Sequence, residues 1–197
     1  MTSVDLLPLV LTSGWASGIN AYAVIVLMGL LGRFAGVDAV PESMQHTNVL
    51  AIAGGLYAIE FVTDKIPYVD SVWDGLSTIV RPTIGAMLGY LIAGDAESVN
   101  QALYASVGGG SALASHVVKA GNRLAINSSP EPFSNIVVSL GEDIAVAGVI
   151  TVAVFHPWIA LTLASLFFLV GLTLMILLFS LVRRGWRRRR ARRTARA

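Results

Sequence analysis

The chain has 197 residues, 55% of them apolar and only 13% charged, with a mean hydropathy of +0.70. A water-soluble domain carries roughly 25% charged residues, so this composition excludes a polar-coated globule and points to a bilayer as solvent. The net charge of +2 hides a division: nine arginines follow residue 182, while the body before them sets five cations against twelve carboxylates, a formal −7. With no cysteine, disulfides and thiolate metal sites are excluded.

No Lys or Arg precedes Pro8, so a cleavable signal is not expected and the first apolar segment should stay. That segment, Leu6 to Leu31, exceeds the roughly 20 residues a helix needs to cross a bilayer. Within it, Gly14 and Gly18 form a small-xxx-small pair suited to close helix contact. Residues 32 to 46 read as a loop, and Asn48 to Val62 as a second span. The stretch Glu60 to Asp74 then places four carboxylates (Glu60, Asp64, Asp70, Asp74) and Lys65 at a membrane boundary. Helical spacing puts Glu60 with Asp64, and Asp70 with Asp74; adjacent Asp64 and Lys65 are expected to neutralise each other. Val69 to Val80 reads as an amphipathic interfacial helix with Trp73 at headgroup level. Arg81-Pro82 is expected to break or kink the chain, leaving Thr83 to Gly94 as a short run of about 18 Å.

A fourth run, Leu103 to Val118, contains Gly108-Gly109-Gly110, which predicts either a helix break or very close packing. His116, Lys119 and Arg123 follow on one helical face. The fifth run, Asn135 to Phe155, carries Glu142 and Asp143, and the sixth, Trp158 to Val182, has no interior charge. The sequence predicts an all-α, polytopic helical membrane protein of about six transmembrane segments. Residues 1–182 would form the helical domain and 183–197 an arginine-rich cytoplasmic tail. Lys and Arg favour the cytoplasmic side, so six spans would leave both termini there; five would put the N-terminus outside. A shift of 89 residues aligns Ala16-Ser17 with Ala105-Ser106, Gly32 with Gly121, and Pro41-Glu42 with Pro130-Glu131. In the six-span arrangement the two units, 8–66 and 98–156, would be inverted repeats, an architecture that places sites at the repeat interface.

The strings Ser17 to Tyr22, Glu60 with Asp64 to Pro67 and Asp70, Trp73-Asp74, Arg81-Pro82 and Glu142-Asp143 resemble the multi-pass membrane family known as domain of unknown function 4126 (DUF4126). The similarity covers roughly residues 10 to 155, with the last span and the tail outside it. The resemblance implies an integral membrane protein of a bacterial inner (plasma) membrane and brings no activity with it.

An ionisable group at mid-membrane costs roughly 2.5–3.5 kcal/mol on insertion scales and faces a partner or water. The candidate substrate- or ion-binding residues are therefore Glu60, Asp64, Lys65, Asp70, Asp74, His116, Lys119, Arg123, Glu142, Asp143 and Asn20. Each has a plainer reading: charged helix ends for Glu60 and for the His116 to Arg123 stripe, headgroup-level acids for Glu142 and Asp143, and helix–helix contact for Asn20. The sharper reading pairs the basic stripe with the acids across the bundle. A divalent metal on Glu60, Asp64, Glu142 and Asp143 is conceivable, though no spacing demands it. Arg183, Arg184, Arg187, Arg188, Arg189 and Arg190 read as contacts to anionic lipid headgroups rather than nucleic acid, and Trp186 as an interfacial anchor. No cofactor is expected, and small-residue faces suit a homo-oligomer. Enzyme motifs are missing from the sequence, which speaks against an enzyme, with an intramembrane hydrolase as a remote third reading. The leading expectation is a small transporter or permease for an ion or small polar solute. The alternative is a non-catalytic membrane scaffold or lipid-interacting protein.

Overall fold

The computed structural model describes residues 3–66, 68–94, 96–127 and 132–194, with side chains described only between residues 6 and 184. Among the described residues there are six α-helices and no strand: α1 Ser3–Ala35, α2 Thr47–Thr63, α3 Val69–Ala93, α4 Ser98–Ile126, α5 Pro132–Phe155 and α6 Pro157–Thr194. Four stretches, Leu6–Ala35, Val69–Ala93, Phe133–Phe155 and Pro157–Arg184, are long and apolar enough to cross a membrane. The helix α4 is long enough but less apolar, and its burial pattern gives the reason. Ser115, His116, Lys119 and Arg123 are turned inward, whereas Val99, Leu103, Leu113, Val117 and Leu124 are exposed. Polar side chains inside and apolar ones outside is the distribution a bilayer favours.

Several local expectations change. The stretch from Val69 does not stop at Arg81-Pro82: α3 continues through Pro82 for 25 residues. Nor is its first half interfacial. Asp70, Asp74, Ser77 and Arg81 are buried while Val69, Val72, Leu76 and Ile79 are exposed, so the polar face lies within the protein. The helix α4 passes unbroken through Gly108 to Gly110. Gly108 and Gly109 serve packing against α3, while Gly110 faces open space: a Cβ on Gly14 or Gly85 would overlap the Gly108 backbone, and one on Gly18 would overlap Ala112 and Ser115. Gly89 meets Tyr104 and Ala105 in the same way. Small residues on three helices thus let α1 and α3 lie directly on α4. The break falls instead in α1, where Asn20 adopts φ −148° and ψ 94°.

Helix directions follow from the contacts. Ser111, Ser115 and Lys119 of α4 donate to the carbonyls of Leu11, Trp15 and Ile19 of α1, at 2.8, 2.7 and 2.8 Å. Both sets rise together by four residues, so α1 and α4 run parallel. The helix α6 runs with them: Gly171 meets Val118, Met175 meets Gly121, and Phe167 stacks on Trp15. The helix α3 is antiparallel to α4, with Asp70 beside Asn127, Arg81 beside His116 and Gly89 beside Tyr104. From Arg33 beside Thr47 to Arg81 bridging Glu60 and Gly18, α2 descends along the second half of α1. It ends level with the Asn20 break, and α3 continues in the same direction. Parallel α1 and α4 are at odds with inverted units. The start of α1 and the end of α6 lie at opposite ends of the bundle, which is at odds with a shared side for the two termini. The halves also pack differently: α1 lies broadly on α5, while α4 and α2 barely touch.

Candidate functional site

The site begins at the break in α1. Asn20 Oδ1 accepts from the Ala23 amide at 3.0 Å, capping the second half-helix, while its Nδ2 donates to Asp143 Oδ1 at 3.1 Å. An extended residue in a helix frees carbonyls on its N-terminal side. Here two buried cations take them: Lys119 donates to Ile19 O at 2.8 Å and Arg81 approaches Gly18 O at 3.4 Å.

Arg81 is the first node, at the centre of α3, twelve residues from each end. Its Nη2 donates to Glu60 Oε1 at 2.6 Å. Its Nη1 lies 3.0 Å from Asp74 Oδ1 and 2.9 Å from His116 Nδ1. Because a guanidinium only donates, Nδ1 must accept and Nε2 must carry the imidazole proton. Nε2 then donates to Thr78 Oγ1 at 3.0 Å, and the Thr78 hydroxyl donates in turn to the Asp74 carbonyl at 3.0 Å. The geometry therefore assigns a neutral His116.

Lys119 and Arg123, one helical turn apart, form the second node. Lys119 pairs with Asp64 Oδ2 at 2.7 Å and Glu142 Oε2 at 3.6 Å. Arg123 binds the same Glu142 oxygen at 2.7 Å, Asn135 Oδ1 at 2.6 Å and the Asp64 carbonyl at 2.9 Å. Asp70 lies 3.8 Å from Arg123 and accepts two bonds from Asn127. Asp64 and Lys65 do not neutralise each other as expected, because the turn after α2 sends them apart. Lys65 instead sits over the Phe61 ring, 3.1 Å from its centroid, and reaches Asp143 at 3.7 Å and Ser139 at 3.3 Å.

The substrate- or ion-binding candidates therefore fall in three groups that meet around the break in α1: Glu60, Asp74 and His116 on Arg81; Asp64, Asp70 and Glu142 on Lys119 and Arg123; and Asn20 and Lys65 on Asp143. Glu142 and Asp143 lie ten and eleven residues inside α5, which starts at Pro132 rather than near Ile144. Six carboxylates face four cations, a net of −2 with His116 neutral. Glu60 Oε2, Asp64 Oδ1 and Asp74 Oδ2 are buried with no donor among the described residues. Sequence reasoning missed Arg81, Asn127 and Asn135, all buried at the heart of the network. Arg81 had a legible signal: Asp70, Asp74, Ser77 and Arg81 recur at i, i+4, i+7 and i+11, one face of a helix. Asn127 and Asn135 flank a loop and had none. Among the described residues no group of three or more His, Asp or Glu side chains is placed to hold a metal ion, since cations sit between the acids. In the tail, the backbone of α6 is helical to Thr194. The side chains of Trp186, Arg187, Arg188, Arg189 and Arg190 lie outside the described residues.

These features define an all-helical protein with membrane-competent helices wrapped around a polar, charged interior. The chain belongs to the family described as domain of unknown function (DUF4126), whose model matches residues 7–177. The match takes in most of α6, so the last helix is part of the family pattern, contrary to the narrower extent read from the sequence motifs. Comparison with curated proteins and with solved structures found no match.

Proposed function

We propose that this protein is a membrane transporter or permease that moves an ion or small polar solute through the charged interior. The observation that carries the reading is the surplus of two carboxylates in a buried network at the level of a helix break. Stability does not call for such an interior: replacing buried ion pairs by apolar residues is often neutral, or stabilising by about 1–4 kcal/mol. Carboxylate oxygens buried without a donor favour a proton or a small cation as the travelling charge.

The proposed arrangement has five traversals rather than six, with α2 and α3 together forming one discontinuous descent. Placing the arginine end of α6 in the cytoplasm puts the start of α1 outside. Asp5 and Glu97 then lie at the outer end without a Lys or Arg beside them, as the positive-inside rule favours. A bacterial inner membrane is the setting implied by the family resemblance.

The test is electrical recording from proteoliposomes under an imposed pH or ion gradient. Glu60→Gln and Glu142→Gln should each reduce the current at least tenfold at equal protein density; unchanged currents in both sink the proposal. The chain has no cysteine, so single cysteines at Ser3 and Thr194 report topology directly. Only the Ser3 position should react with an impermeant maleimide added outside. The scaffold reading is favoured by the arginine tail alone. It expects silent acid substitutions and a phenotype lost on deleting residues 183–197.

A further inference from the structure

The backbones of α4 and α5 stand apart, joined by the reach of Lys119 and Arg123 to Glu142 and Asn135. Between them, floored by α1 and flanked by α6, is a half-open cavity of about 400 Å³. Its apolar wall includes Trp15, Phe167, Phe168 and Leu174, and its charged side chains among the described residues are Lys119 and Glu142. Trp15 and Phe167 are stacked, with ring centroids 6.1 Å apart and planes 14° apart. The cavity joins the exposed apolar surface of the bundle to the second node of the network.

We infer that this cavity binds an amphiphilic organic cation, which enters sideways from the bilayer and places its charge beside Glu142. Three observations select a cation over an anion. Lys119 is already engaged by Ile19 O, Asp64 and Glu142, so its charge is spent within the protein. Glu142 makes both its ion pairs through Oε2, and its side chain keeps 19% of its exposure, the most of any carboxylate in those pairs. The network as a whole sets six carboxylates against four cations, a formal surplus of negative charge that disfavours an anionic headgroup. The aromatic wall suits an organic cation, since a positive charge near a ring face gains about 0.5–2 kcal/mol. This inference deepens the transport reading by naming a class of cargo, and it rests on that reading for its role in transport.

Two probes of matched shape and opposite charge test it: tetraphenylphosphonium and tetraphenylborate, titrated onto the full-length protein in nanodiscs. The phosphonium should bind saturably and the borate at least tenfold more weakly. Glu142→Gln should weaken phosphonium binding tenfold or more. Ala145→Leu, which narrows the cavity without touching the charges, should weaken it as much and so covers the case of a misfolded Glu142 variant. Equal binding of both probes would overturn the inference in favour of a merely apolar groove, and binding that survives Ala145→Leu would overturn the location. The transport reading fails separately: binding with no gradient-driven current removes transport and leaves the site standing, while current without phosphonium binding removes the site alone.

Discussion

Replacing Arg81 with methionine removes one side chain and strands several others. Glu60 loses its 2.6 Å donor and Asp74 its 3.0 Å counter-charge, both within the protein interior. Breaking a buried pair costs about 3–5 kcal/mol, and here two carboxylates share the lost cation. The expected loss is therefore at least about 3–5 kcal/mol at pH 7. Equilibrium unfolding in mixed detergent micelles, followed by tryptophan fluorescence, measures this. A loss below about 1 kcal/mol would refute the placement of Arg81 as the hub of the network.

Lys119→Met should cost about 3–5 kcal/mol in the same assay, since it leaves the Asp64 carboxylate only the 3.8 Å approach of Arg123 and uncovers the Ile19 carbonyl. A neutral result would mean that water reaches the second node. Asn20→Ala removes the cap on the Ala23 amide and should cost about 0.5–2 kcal/mol; faster hydrogen exchange confined to residues near 23 would show the cap, and unchanged exchange would deny it. Gly108→Val sets a branched side chain against the backbones of Gly85 and Gly89 and should prevent the close approach of α3 to α4. Loss of folded, monodisperse protein on size exclusion is the expected reading, whereas wild-type thermal stability would mean the helices are held apart.

The inventory of charged groups was readable from spacing alone. His116, Lys119 and Arg123 share a face, as do Asp70, Asp74 and Arg81, because an α-helix returns to the same side every three to four residues. That the acids must find partners also followed from the cost of a lone charge in hydrocarbon. The helix that breaks was not readable. Three consecutive glycines in α4 look like the weaker helix, yet α1 and α3 close on Gly108 and α3 on Gly109 and hold the segment helical, while Asn20 breaks α1 because its side chain can replace the lost backbone bond. Pro82 misled for a similar reason. Its missing amide weakens one helical bond, but Arg81 beside it is fixed by four partners and keeps the chain on course.

By itself, then, the sequence determined an all-helical chain with apolar surfaces, an acidic body and a basic end, because burial in lipid constrains composition and helical period constrains spacing. Direction was decided only by the tertiary structure. Whether an apolar helix of 17 residues such as α2 crosses a bilayer alone, or stops partway and hands the crossing to the next helix, depends on whether the turn after it finds buried partners. Asp64 finds Lys119 and the carbonyl of Asp64 finds Arg123, so the chain can turn at mid-depth. That one turn sets the direction of every later helix and brings the acids of α2, α3 and α5 around the cations of α3 and α4.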